Sequence, residues 1–230
     1  MQVSLEWGPV GARVLGELCD GLVVVDVLSF STAVTVAVGR GAQVWPHPGG
    51  DDALRLAREL DAELAGQRSA GARPSLSPAS LTDLDAGSRL VLPSPNGSAI
   101  SSAAGDGLRH VVAGCLRNAT AVARHLRGYA HVGLVPTGER WPDGSLRPAY
   151  EDLVGAGAIT DRLLARDADV ALSPDAEAAA LAFRSLRPLE LCPSGIELVG
   201  RGWAEDVRIA SDVDASMVVP VLVDGRFIAS

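Results

Sequence analysis

Apolar and polar positions along this chain fall into short blocks whose periodicity switches between that of strands and that of helices. Leu22–Val27 is an apolar run, interrupted only by Asp26 and rich in β-branched residues, the pattern of a strand buried on both faces of a parallel sheet. Ser31–Val38 follows as a predicted helix, ended by Gly39–Gly41, and Gln43–His47 reads as a second strand. Asp51 and Asp52 are predicted to cap the next helix, in which Ala53, Leu56, Ala57, Leu60 and Leu64 recur at helical spacing on one face. Residues 66–80, rich in Gly, Ser, Pro and Arg, read as a loop. Three further strands are predicted at Arg89–Leu92, Gly107–Ala113 and His131–Pro136, with helices following at Ser98–Ala104, Asn118–Leu126 and Glu151–Arg166. Val170–Leu172 reads as a strand, and Pro174 opens a helix that continues through Asp175–Leu186. Met217–Leu222 and Arg226–Ile228 flank Val223-Asp224-Gly225, a hairpin turn.

Strands alternating with helices predict an α/β layered sheet, mostly parallel, with antiparallel edge strands at the C-terminus. The 230 residues fit a single α/β domain over 1–230. Aromatics make up only 4% of the chain, so Val, Leu and Ala must fill its core.

Four polar islands stand immediately after apolar runs. They are Asp26–Thr32, Ser94–Ser98, Gly114–Ala119, and Tyr150-Glu151-Asp152 ahead of Leu153–Gly157. In an open α/β sheet, strand carboxyl ends and the following helix N-termini gather at one crevice, where ligands bind. Helix N-termini favour anions because their first N–H groups lack partners. Hydroxyls, N–H groups and carboxylates converging there suit a phosphorylated ligand and a hard cation.

Charge and composition narrow the chemistry. A net charge of −8 argues against a nucleic-acid partner, which calls for a basic patch. All 20 basic residues are Arg, so Schiff-base chemistry and a P-loop lysine are excluded. Three separated cysteines without CxxC spacing fit neither a disulfide framework nor a zinc site. The N-terminal stretch lacks the features of a signal peptide, and no apolar run approaches bilayer length. The expectation is a cytoplasmic protein without a membrane partner. The high apolar content adds the expectation of a homodimer.

Each polar candidate has a functional and a plain structural reading. Asp26, at the end of an apolar strand, is either a metal ligand or catalytic carboxylate, or a helix N-cap or loop hydrogen-bond acceptor. Glu151 and Asp152 open a helix, where acidic residues also suit the dipole. Glu139, in the long polar loop Gly138–Pro148, is placed to join them; carboxylates with water form an oxygen-only shell that favours Mg²⁺ over zinc. Ser94, Asn96, Gly97 and Ser98 form either an anion-binding turn or an ordinary helix cap, and Asn118 has the same double reading. Gly155-Ala156-Gly157 is better explained by close helix packing than by a dinucleotide site. A haloacid-dehalogenase-type phosphatase would need an Asp where Leu28 stands, and no Cys-x5-Arg loop follows Cys19, Cys115 or Cys192.

In this order the islands resemble the 2-phosphosulfolactate phosphatase (ComB-like) family. Asp26-Val27-Leu28-Ser29-Phe30-Ser31-Thr32 resembles the family's Asp-Val-Leu-Arg-Ala-Thr/Ser-Thr, and Leu76-Ser77-Pro78 its Asn-Ser-Pro. Ser94-Pro95-Asn96-Gly97-Ser98, Gly114-Cys115-Leu116-Arg117-Asn118-Ala119 and Glu151–Gly157 resemble its Thr-Thr-Asn-Gly-Thr, Gly-Ser-x-x-Asn-Ala and Glu-Asp-x-x-Cys-Ala-Gly. A weaker echo lies at Ser194–Leu198. The resemblance implies an α/β three-layer sandwich with a mostly parallel or mixed sheet, and Mg²⁺-dependent hydrolysis of a small anionic phosphate monoester such as 2-phosphosulfolactate. On that reading Asp26, Glu151 and Asp152 hold Mg²⁺. Ser29, Ser31, Thr32, Ser94, Asn96, Gly97 and Ser98 meet the substrate, and Asn118 and Glu139 join Asp26 in catalysis. Three positions depart from the pattern: Ser29 replaces an Arg, Leu76 an Asn and Gly155 a Cys. Arg117 and Arg140 are the candidates to restore the missing guanidinium. The alternative is a catalytically inactive relative that binds a small phosphorylated or sulfonated acid, with a purely structural subunit as the blandest reading.

Overall fold

The fold is built around β2 (Gly21–Val25), every residue of which is buried. Its alternating side chains serve two cores. Leu22 and Val24 pack with Ala12 and Leu15 of helix α1 (Gly8–Leu18), while Val23 and Val25 face the opposite layer. That second layer holds α4 (Ala119–His125), α5 (Tyr150–Leu164) and α6 (Pro174–Arg184). A computed structural model describes residues 1–98, 100–101, 110–165 and 169–230. Parts of the expected helix Ser98–Ala104 and strand Gly107–Ala113, and the end of the helix expected to reach Arg166, lie outside those residues.

The remaining strands are β1 (Gln2–Leu5), β3 (Gln43–His47), β4 (Glu63–Leu64), β5 (Arg89–Pro93), β6 (Val111–Gly114) and β7 (His131–Pro136). After them come the small hairpin β8 (Glu139–Arg140) and β9 (Leu146–Arg147), then β10 (Ala171–Leu172), β11 (Pro220–Val223) and β12 (Arg226–Ala229). Ten of these form one mixed, mostly parallel sheet in the order β10-β1-β7-β2-β6-β11-β12-β3-β5-β4. The expected α/β architecture is therefore present, with one correction. The β11–β12 hairpin is not at the edge. It is the antiparallel bridge between a parallel block ending at β6 and a second parallel block starting at β3.

The bridge reverses strand sense between the blocks. Each neighbouring pair also twists by about 20–25°, so the steps from β2 to β5 accumulate roughly 100°. The carboxyl ends of the two blocks meet: Asn96, just past β5, donates from Nδ2 to the Gly138 carbonyl just past β7, at 3.2 Å. Above this junction α2 (Phe30–Gly39) packs on Val44, Leu90, Leu92 and Phe227, with Phe30 and Phe227 edge to face at 6.0 Å.

Glycines permit the closest approaches. A Cβ at Gly157 would overlap the Ala179 carbonyl on α6, and one at Gly155 would lie 2.6 Å from Val27 Cγ2. The Gly-Ala-Gly stretch is thus a packing seam, as its position inside a helix suggests. Helix α3 (Asp51–Glu59) starts earlier than a cap at Asp51 and Asp52 would give: Gly50 is its N-cap, both Asp residues lie in its first turn, and Leu64 belongs to β4. The C-terminal part adds α7 (Pro193–Gly200) and α8 (Ala204–Ser211), which sequence periodicity does not predict.

Candidate active site

The turn after β2 is tied down by its own polar groups. Asp26 Oδ1 accepts the Phe30 N–H at 3.0 Å, and the Asp26 carbonyl accepts the Ser31 N–H at 2.8 Å. Ser31 Oγ donates to the Val24 carbonyl at 2.8 Å and accepts the Asp26 N–H at 3.1 Å; Thr32 Oγ1 donates to the Val27 carbonyl at 2.7 Å. These short side-chain bonds start α2 without a side-chain cap at Ser29. The Leu28 and Ser29 N–H groups have no acceptor among the described residues, so two backbone donors remain at the strand end.

Helix α5 brings its first turn beneath this one. Asp152 Oδ1 accepts the Val27 N–H at 2.8 Å, while Oδ2 accepts the Gly138 N–H at 2.9 Å and the Thr137 hydroxyl at 3.2 Å. Both oxygens are thus engaged by backbone of the turns after β2 and β7. Glu151, only 2% exposed, differs: its Oε2 is buried and has no hydrogen-bond partner. A buried, unpaired carboxylate oxygen is costly unless a ligand completes it.

Burial pushes Asp26 up to about 6, helped by the charge of Glu151; the Phe30 N–H, the Thr137 side chain and Arg68 pull the other way. Glu139 is pushed up to about 7 by burial first, then by the charges of Asp26 and Glu151. Asp152 is raised well above the usual carboxylate range, mainly by burial and then by Asp26 and Glu151. Beside the cluster, burial and then Glu151's charge push the Cys192 thiol up to about 12, which keeps it protonated. Four carboxylates thus share one site, and the charge of Glu151 helps raise the other three, an arrangement that a divalent cation would relieve. Among the described residues no three acidic, His or Cys side chains are placed to grip an ion together. Asp26 and Glu151, with an oxygen of Glu151 left open, fit Mg²⁺ in its usual mode, in which one or two carboxylates are supplemented by water and substrate phosphate. Asp152, its oxygens already taken, holds the site together.

Beside the carboxylates a cavity of 660 Å³ opens, with Ser29, Arg68, Glu139, Ser194 and Trp203 among its lining residues. Arg68 Nη2 donates to Ser29 Oγ at 3.0 Å and to the Leu76 carbonyl at 2.9 Å; its Nε lies 3.5 Å from Asp206 Oδ2. Its guanidinium lies 5.1 Å from the Trp203 ring centroid. Asp206 on α8 also accepts from Ser77 Oγ at 2.5 Å and the Ala79 N–H at 3.0 Å, fastening the 66–80 loop over the site.

The sequence candidates separate into three groups. Asp26, Glu139, Glu151 and Asp152 are brought together, with Ser29 at the cavity wall. Asn96 touches the group, donating to Glu139 Oε2 at 3.5 Å while its Oδ1 accepts from Arg140 Nε at 3.2 Å. The others work within the protein. Ser31 and Thr32 are fully buried with their hydroxyls used as above, so they shape the turn rather than offer a free phosphate cradle. Ser98 Oγ donates to the Ser94 carbonyl, Ser94 Oγ accepts the Gly97 N–H at 3.3 Å, and Gly97 makes room for the Phe30 ring. Asn118 is also fully buried: Oδ1 accepts the Cys115 N–H at 2.9 Å, and Nδ2 donates to the Ala113 and Val218 carbonyls and to Thr35 Oγ1. It ties β6 to the segment before β11.

The guanidinium beside Ser29 comes from neither expected donor. Arg117 points to the Ile209 carbonyl at 2.6 Å and to Asp212 at 3.1 Å, in a different crevice, and Arg140 lies on the rim with Asn96. Arg68 supplies it from a loop whose composition announced nothing more than a loop. Nothing local separates it from Arg73, which sits exposed beside Asp83.

A 2-phosphosulpholactate phosphatase family model matches residues 13–225. The chain belongs to this family. A Deinococcus radiodurans protein named probable 2-phosphosulfolactate phosphatase is 31% identical over 219 residues, covering 90% of this chain and 89% of the relative. A Prochlorococcus marinus (strain MIT 9313) protein of the same name is 32% identical over 224 residues, covering 89% of each. A Pseudothermotoga lettingae relative, also so named, is 32% identical over 124 residues and half of each chain. As a 2-phosphosulfolactate phosphatase family member, the chain carries the acidic site on a hydrolase scaffold. No helix among its described residues is long and apolar enough to cross a membrane.

Proposed function

We propose that this chain is a Mg²⁺-dependent phosphatase acting on a small anionic phosphate monoester of the 2-phosphosulfolactate type. The observation that carries this reading is the meeting of Asp26, Glu139 and Glu151, with one buried oxygen unpartnered, beside Arg68 and the free N–H groups of Leu28 and Ser29. Asp26 and Glu151 would hold Mg²⁺, which when bound polarises a phosphoryl group and lowers the pKa of water. The Leu28 and Ser29 N–H groups would bind phosphate oxygens, and Arg68 would balance the substrate's remaining negative charge.

In the hydrolysis, water adds to phosphorus, the P–O bond to the alcohol carbon's oxygen breaks, and inorganic phosphate leaves with a hydroxy acid. The departing oxygen needs a proton. Glu139, pushed up to about 7, carries one near neutral pH and would donate it from its carboxyl oxygen. Asp152 would keep the turns after β2 and β7 in register, through Val27 and Gly138.

The test is phosphate release from 2-phosphosulfolactate, phospholactate and simpler phosphomonoesters, with Mg²⁺ or with chelator. Mg²⁺-dependent release, strongest for esters bearing a second acid group, is expected. Binding of these esters without release would favour the inactive, ligand-binding alternative.

A further inference from the structure

The cavity beside the carboxylates is larger and more apolar than a three-carbon acid requires. Its 660 Å³ falls within the range, about 300–1,000 Å³, of pockets that enclose drug-sized ligands. Leu28, Leu64, Leu76 and Trp203 line it alongside Arg68. Arg68 is held from three sides: Asp206 at Nε, Trp203 against the guanidinium, and Ser29 with the Leu76 carbonyl at Nη2. Among the described residues nothing hydrogen-bonds Nη1. A guanidinium fixed in this way is a preorganised anion donor, and it stands at the junction of the acidic cluster and the apolar wall. The spacing orders three recognition elements: phosphate at the strand ends, an acid group at Arg68, and carbon substituents along the leucines and Trp203.

We infer that the substrate is the phosphate ester of a 2-hydroxy acid carrying a bulky apolar substituent, its carboxylate or sulfonate bound by Arg68. This rests on the phosphatase reading and extends it to a substrate class. It makes Arg68 and the Leu64–Leu76 wall determinants of specificity.

The experiment compares three esters with the full chain and Mg²⁺: the 2-phosphate of 3-phenyllactate, that of lactate, and the amide of the phenyllactate ester. The expected result is kcat/KM at least about tenfold higher for the phenyllactate ester than for phospholactate. It should exceed the amide by on the order of 10- to 100-fold, the worth of a charge-assisted hydrogen bond. Arg68→Met should collapse the acid-to-amide ratio. Because Asp206 would then lose its counter-ion, Arg68→Lys is the second variant, keeping the charge but not the fork, and should lower the same ratio. Leu64→Trp, filling the wall, should reverse the preference between phenyllactate and lactate esters. Equal or better turnover of phospholactate, or an acid-to-amide ratio near one, would overturn the inference. If no ester is hydrolysed, the phosphatase reading fails by itself. The inference is then decided by calorimetric titration of the same three esters: tighter binding of the phenyllactate acid ester supports it, and equal or absent binding overturns it.

Discussion

Replacing Asp26 by Asn should stabilise the metal-free protein and abolish its activity. Asp26 is 7% exposed, and its carboxyl is raised from 3.8 to about 6, chiefly by burial and then, among the raising influences, by Glu151. A carboxyl raised on folding favours the native state most below its unfolded value, near 4. That contribution is lost as pH climbs through about 6, because the unfolded chain releases its proton first. At pH 8 the ionised form therefore costs the fold about 3 kcal/mol, and at pH 5 roughly half of that. Asn keeps an oxygen for the Phe30 N–H, and the charge assistance of that bond is already contained in the value of about 6. The net gain is about 3 kcal/mol at pH 8 and roughly half of that at pH 5. For a chain of 230 residues this corresponds to a Tm about 6–12 °C higher at pH 8. Thermal melts of both proteins in chelator at the two pH values test it. An unchanged or lower Tm at pH 8, or the same shift at both, would refute the idea that self-repulsion stresses this site.

Other consequences follow from the same geometry. Mg²⁺ should raise the wild-type Tm more at pH 8 than at pH 5, and Glu151→Gln should shrink that rise, since ligands stabilise by binding the native state alone. Asp152→Ala strands the Val27 and Gly138 N–H groups and should cost about 2–4 kcal/mol in urea unfolding, with Asp152→Asn milder. Gly157→Ala forces a Cβ onto the Ala179 carbonyl and should cost about 1–3 kcal/mol by the same assay. Turnover should fall as Glu139 loses its proton above about pH 7; Glu139→Gln should lower kcat by about 10²–10⁴ and remove that basic limb from the pH profile.

What the sequence discloses here is local, and what it hides is long-range. Leu22–Val27 reads as a strand because the four consecutive apolar residues Leu22–Val25 are best buried on both faces, and the Asp26 turn follows directly from it. The acidic members of the site were legible because carboxylates at strand and helix ends stand out from their apolar surroundings. Hydroxyls and amides do not reveal whether they face substrate or their own backbone. Ser31, Thr32 and Asn118 look like ligand-binding groups, yet their bonds end on Val24, Val27, Ala113 and Val218. Helix α1 escaped notice because Gly8, Gly11 and Gly16 lower its propensity, and β1 is only four residues long. The place of the β11–β12 hairpin depends on strand order, which a local pattern does not encode. Arg68 was illegible for the same reason: its partners Ser29, Asp206 and Trp203 are brought to it only by the folded chain.

The most direct test of the central claim is phosphate release from 2-phosphosulfolactate by wild type and Asp26→Asn side by side, each with Mg²⁺ and with chelator. The account predicts release by the wild type with Mg²⁺ only, and none by the folded variant. Undiminished release in chelator, or full Mg²⁺-dependent turnover by Asp26→Asn, would contradict it.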